Sequence, residues 1–121
     1  MQSFVWVFLG GGLGSVLRYG VGLLVPASHG LPWATLLVNV LASGLLGCLI
    51  GAGHKEQRPE LWWLLATGFF GGFSTFSTFS SDTIRLLQEG QSNAAFANIG
   101  LNLACCLAAT WLGFKWWSGN V

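Results

Sequence analysis

Four apolar segments, each about 20 residues long, limit what this chain can become more than any other feature. They cover residues 4–25, 33–53, 61–80 and 94–116. A helix rises about 1.5 Å per residue, so each can cross a hydrocarbon core of about 30 Å. Only 7% of the 121 residues are charged, against about a quarter in soluble domains. A helix satisfies its own backbone, as hydrocarbon requires. The expected fold is an all-α integral membrane protein, one domain over residues 1–121, with four transmembrane helices and both termini on one side.

Short polar stretches at 26–32, 54–59 and 82–93 join the segments and hold most of the charges. Trp6, Trp33, Trp62, Trp63, Trp111, Trp116 and Trp117 fall near predicted segment ends, where amphipathic rings anchor a span. Lys55, Arg58 and Lys115 belong to the side of the termini, and Arg85 and Arg18 to the other. The positive-inside bias is therefore weak and permits insertion in both orientations.

Several function classes are disfavoured. A net charge of +1 offers no basic surface for nucleic acid and no polybasic run for anionic lipid. Residues Gly10 to Gly14 do not complete Gly-x-Gly-x-x-Gly, and no strand precedes them, so no nucleotide is expected. Cys48, Cys105 and Cys106 lie in apolar segments and read as small membrane-buried residues, not a disulfide framework or metal cluster. His29 and His54 occupy different linkers, and no Ser/His/Asp or Cys/His grouping suggests an enzyme. The N-terminus lacks a basic start and a small-residue cleavage site, so it is expected to remain as the first span. The C-terminal run from Trp116 to Val121 has no cysteine to lipidate.

The third segment is the unusual one. Its stretch 68–79 reads Gly-Phe-Phe-Gly-Gly-Phe-Ser-Thr-Phe-Ser-Thr-Phe. Gly68, Gly71 and Gly72 each cost a helix about 1 kcal/mol relative to Ala, and the Ser/Thr run offers the backbone competing hydrogen bonds. A helix break at membrane depth is expected there. Broken backbone survives in a membrane only where it is buried in protein or faces a watery cavity, which points to an ion or substrate site. Carbonyls ending the first half-helix suit a hard cation, and amides opening the second suit an anion. Phe70, Phe73, Phe76 and Phe79 recur every three residues; their positive ring edges would attract an anion without holding it too strongly.

Three rows at intervals of four complete the pattern. The first segment carries Gly10, Gly14, Arg18 and Gly22. Small residues at this spacing allow close helix approach. Arg18, with no acidic residue in any predicted span to pair with, is expected to snorkel to water or to cap carbonyls. The second segment carries Thr35, Asn39, Ser43, Gly47 and Gly51, and the fourth Asn98, Asn102, Cys106 and Thr110. Such rows act either as packing glue or as a ladder of donors that replaces water around a crossing ion.

These residues resemble the Fluc (CrcB) fluoride channels of microbial plasma membranes over nearly the whole chain. Gly10-Gly11-Gly12-Leu13-Gly14-Ser15-Val16-Leu17-Arg18-Tyr19 is similar to the family's glycine-rich first helix, and Thr35-Leu36-Leu37-Val38-Asn39 to its second-helix asparagine motif. The stretch 68–79 resembles the family's Gly-Phe-x-Gly-Gly-x-Thr-Thr-Phe-Ser-Thr-Phe. The resemblance implies an antiparallel dual-topology homodimer in a bacterial inner membrane, with two fluoride pores and a structural sodium ion at the dimer centre. By motif position, the carbonyls of Gly71 and Ser74 would hold sodium. Phe76 and Phe79 would line the pores with Ser77 and Thr78, and Asn39 would contact fluoride or orient the rings. The fourth-segment row of Asn98, Asn102, Cys106 and Thr110 would match the family's polar track, with Cys106 and Thr110 at its hydroxyl positions, and Arg18 would sit at an aqueous vestibule. Two departures stand out. Ser74 replaces a threonine, harmlessly if that residue supplies its carbonyl, and Cys106 stands where a serine is expected, with a thiol that is the weaker donor.

The function implied is passive fluoride export down the electrochemical gradient. A small proton-coupled multidrug transporter is the chief rival, but it needs a titratable membrane carboxylate. Glu56, Glu60, Asp82 and Glu89 are all assigned to linkers or segment ends. A structural subunit, its polar rows serving only as glue, is the third possibility.

Overall fold

The computed structural model describes residues 1–119. Asn120 and Val121, the end of the expected domain and of the cysteine-free C-terminus, lie outside the described residues. The chain forms α1 (Gln2–Leu24), α2 (Trp33–Gly51), α3 (His54–Gln57), α4 (Pro59–Leu61), a π-helix (Trp62–Phe70), α5 (Gly71–Phe73), α6 (Phe76–Gln88) and α7 (Ser92–Ser118). Helices α1, α2 and α7 are each long and apolar enough to cross a membrane. Large side chains such as Phe4 and Phe8 stand out from them, 77% and 79% exposed, as lipid-facing groups do. The protein is an all-helical, multi-pass integral membrane protein.

Lipid is as apolar as leucine, so these helices associate by close packing. Two tight pairs result. In the first, α1 lies along the π-helix and α5. A Cβ at Gly10 would overlap the carbonyl of Leu64, one at Gly14 the carbonyl of Phe69, and one at Gly72 the carbonyl of Gly11. In the second, α2 lies along α7. There a Cβ at Gly47 would overlap the carbonyl of Thr110, and one at Gly113 that of Gly44. Gly10 and Gly14 of the first row, but not Gly22, and both Gly47 and Gly51 of the second are thus backbone contact surface. Between the pairs sits a small apolar core, with Val38, Ala42 and Leu49 of α2 against Phe70 and Phe73.

The glycines are not where the helix stops. Gly68, Gly71 and Gly72 are all helical, and the regular backbone ends at Ser74 (ψ 160°) and Thr75 (φ −154°, ψ 117°). Packing against α1 outweighs a glycine cost of about 1 kcal/mol. Hydroxyls terminate the run instead. Ser74 Oγ donates to the carbonyl of Phe70 (2.7 Å), and Thr75 Oγ1 accepts from the Thr78 amide (3.1 Å), capping α6.

Polarity also marks the end of α6 too early. The stretch 82–93, expected as a linker, is helical through Gln88 and again from Ser92. Charged side chains show where a helix leaves hydrocarbon, not where its hydrogen bonds end. That end is set by Gly90 at φ 76°, with the Gln91 amide donating to Leu86 O (2.8 Å) and the Gly90 amide to Leu87 O (3.1 Å). Asp82 is consequently inside α6, where it accepts a hydrogen bond from Thr35 Oγ1 of α2 (3.1 Å). His54, likewise assigned to a linker, opens α3.

Candidate functional site

Backbone groups of Thr75, where the helix is interrupted, need partners in a membrane protein, and Asn39 supplies them. Its Oδ1 accepts from the Thr75 amide (2.7 Å), and its Nδ2 donates to the Thr75 carbonyl (3.3 Å). One planar amide of α2 therefore clasps both polar groups of the residue that opens α6. The second hydrogen of Asn39 Nδ2 goes to Asn102 Oδ1 (3.0 Å) on α7. Asn102 Nδ2 in turn donates to the carbonyl and Oδ1 of Asn98 (2.9 and 3.0 Å).

Around this clasp lies a groove of about 260 Å³. Asn39, Ser74, Phe76, Phe79, Asn102 and Cys106, six of the expected site residues, line it together with Ser43 and Thr75. The Phe76 and Phe79 rings are 5.3 Å apart and tilted by 55°. Phe79 is buried, whereas Phe76 is 75% exposed and projects from the chain. Phe70 and Phe73, the earlier members of the same series, belong to the apolar core. The groove thus sets two aromatic rings against amide, hydroxyl and thiol groups.

The remaining expected residues lie elsewhere. Arg18 of α1 donates from Nε to the carbonyl of Gly72 (3.0 Å) and lines a second cavity of about 310 Å³ with Thr35, Thr75 and Thr78. A cation there neutralises a carbonyl just before the helix ends. Ser77 is exposed, its Oγ 3.3 Å from Thr75 Oγ1. Thr110 donates to the carbonyl of Cys106 (3.0 Å), so its one hydroxyl hydrogen is spent on its own helix. Gly71 is exposed, and the Thr75 amide, four residues on, bonds to Asn39 in place of the Gly71 carbonyl. Carbonyl oxygens released in this way are the hard donors an alkali cation takes.

Three contributors were absent from the expected set. Thr75 is the clasped residue, Ser43 faces the groove, and Thr83 accepts from Asn98 Nδ2 (3.0 Å). Ser43 was legible from its row with Asn39. Thr75 and Thr83 were not, because each is defined by a partner on another element.

A family pattern described as CrcB-like protein, Camphor Resistance (CrcB), matches residues 5–114. The chain belongs to this family. A relative from Symbiobacterium thermophilum, named fluoride-specific ion channel FluC 2, is 46% identical over 120 residues, covering 91% of this chain and 96% of its own. Another from Shewanella loihica, named fluoride-specific ion channel FluC, is 40% identical over 116 residues, covering 93% and 94%. One from Shewanella baltica with the same name is 42% identical over the same length.

Proposed function

We propose that this CrcB-family chain is a passive fluoride channel, not an enzyme, that lets fluoride leave a bacterial cytoplasm across the inner membrane. The observation that carries the proposal is the groove at the interrupted helix. Amide groups and two aromatic rings converge there, in a chain whose relatives bear the name of fluoride-specific channels. Fluoride is small and strongly hydrated, so a pore must replace its water with several donors. The amide hydrogens of Asn39 are already committed, and the weakest commitment is the 3.3 Å contact to the Thr75 carbonyl. An entering anion would compete for that hydrogen, while the edges of Phe76 and Phe79 add attraction without a strong bond. Asn102, Cys106 and Thr110 would continue the track along α7, with Ser77 and Thr78 beside the rings. Arg18 would keep the adjoining vestibule attractive to anions.

In this proposal the π-helix, α5 and α6 together make a fourth, broken span. Two copies of the chain associate antiparallel, giving two pores per dimer. Support comes from the exposure of Gly71 and Ser77 on either side of the interruption, a surface that a second copy would cover, and from the weak charge bias between the two sides. Gly71 and Ser74 carbonyls from both copies would hold a structural sodium ion, whose charge would offset the crowding of these oxygens.

One observation bears on the proton-coupled alternative. Asp82 is inside α6, with its side chain only 16% exposed. It is already engaged by Thr35 and by Arg85 at 3.7 Å, partners that a drug cation would have to displace. Purified protein in fluoride-loaded liposomes, with potassium and its ionophore clamping the potential, should release fluoride rapidly while chloride stays behind. Release should need no proton gradient. Absence of fluoride efflux from well-folded protein refutes the channel, and strict dependence on a proton gradient favours the transporter.

A further inference from the structure

The polar contacts at the groove continue past it in one direction. Asn39 donates to Asn102, Asn102 to Asn98, Asn98 to Thr83 Oγ1 (3.0 Å), and Thr83 to the carbonyl of Phe79 (2.8 Å). A hydroxyl has a single hydrogen. Since Thr83 spends it on Phe79, its oxygen can only accept from Asn98, and Asn98 must turn its NH2 group toward α6. Asn98 is 2% exposed and Thr83 7%, and neither lines the groove; Thr83 borders a separate cavity of about 360 Å³ beside Phe76 and Phe79.

Their position matters because α6 follows two extended residues. Such a helix can swing about Ser74 and Thr75 unless something holds it. It packs on α7 and only lightly on α2, and side-chain hydrogen bonds pin it at its opening and again about two turns further on, where neighbouring Asp82 and Thr83 are held from different helices. Thr75 is held by Asn39, Asp82 by Thr35, and Thr83 by Asn98. The Asn98 bond falls one helical turn beyond Phe79, the buried ring of the groove. The same hydroxyl that receives it is tied to the Phe79 carbonyl.

We propose that Asn98 and Thr83 are positioning residues for the Phe79 ring, their buried hydrogen bond holding α6 at the rotation that sets that ring against Asn39 and Asn102. The inference deepens the fluoride-channel proposal and rests on it. Loss of the bond leaves the groove's own residues in place but lets the ring wander, so conduction and anion selectivity change in a protein that still folds. A contribution of about 1 kcal/mol from one hydrogen bond corresponds to about a fivefold change in rate.

The test is fluoride efflux per reconstituted protein, together with the fluoride-to-chloride ratio, for Thr83→Val, Thr83→Ser and the pair Asn98→Leu with Thr83→Val. Valine matches the shape of threonine without its hydroxyl, and the paired change removes both ends of the Asn98–Thr83 bond; Asn102 then loses the Asn98 Oδ1 acceptor but keeps the Asn98 carbonyl at 2.9 Å, so Thr83→Val is the variant that leaves the groove's own contacts untouched. Both apolar variants should conduct at least about fivefold more slowly per protein, with a lowered fluoride preference, and Thr83→Ser should behave as wild type. A purely structural bond would lower the yield of folded protein but not the flux or selectivity of what folds. Values within about twofold of wild type in Thr83→Val or in the pair overturn the inference. So does the failure of both to give monodisperse protein, for then the bond serves the fold and not the ring. A wild-type protein that fails to conduct fluoride overturns the proposed function itself, which separates the two failures.

Discussion

Replacing Asn39 with alanine removes the clasp on the interrupted helix, and its cost can be worked from the contacts. The amide of Thr75 loses an acceptor at 2.7 Å, and Asn102 Oδ1 loses a donor at 3.0 Å. A polar group left unpaired away from water costs about 1–3 kcal/mol. Asn102 lines the groove and takes the low end of that range, so the pair predicts a loss of about 2–4 kcal/mol. The assay is unfolding in mixed micelles of rising dodecyl sulfate content, followed by the fluorescence of the seven tryptophans. Hydrogen exchange gives the location. Protection should fall at Thr75 and Phe76 while the middle of α2 and α7 stays protected, because only the break has lost a partner. A stability loss below about 1 kcal/mol, or unchanged exchange at Thr75, would refute the clasp as what holds the interruption in place.

Three further outcomes follow from the geometry. Gly14→Ala should destabilise by about 1–3 kcal/mol, since its Cβ meets the main chain of Phe69 and Phe73, whereas Gly12→Ala, with nothing nearby, should be neutral or slightly favourable; equal effects in a micelle unfolding titration would discount the backbone contact. Thr75→Val should cost about 0.5–2 kcal/mol by losing the cap on α6, with Thr75→Ser close to wild type in the same titration. Phe79→Ile and Phe76→Ile should each slow liposomal fluoride efflux about 2–10-fold with an unchanged size-exclusion profile, and wild-type flux in both would remove the aromatic-edge argument.

The repeat of four along the chain was legible because it is local. Gly10 and Gly14, Asn39 and Ser43, and Asn98 to Cys106 recur once per helical turn, and each set does lie on a contacting face. Partnerships across the fold were not legible. Asn39 and Thr75 are 36 residues apart, Asn39 and Asn102 63 apart, and Arg18 and Gly72 54 apart. No periodicity reports such pairs. The π-helix over Trp62–Phe70 was invisible for a related reason, since its apolar run is equally compatible with α spacing.

Composition and segment length by themselves determined that this chain lives in a membrane, because few charges and long apolar runs leave water a poor solvent for it. Three glycines and the serine and threonine run marked the stretch 68–79 as a poor helix, because glycine lowers helix propensity and those hydroxyls compete locally for the backbone. The tertiary structure decided which residues broke and which held. Gly68 and Gly72, expected to weaken the helix, became part of the surface on which α1 packs while Gly71 stayed exposed, a gain in close contact that local propensity cannot anticipate. It also decided that the freed amide of Thr75 would meet Asn39, and that choice placed the groove beside Phe76 and Phe79.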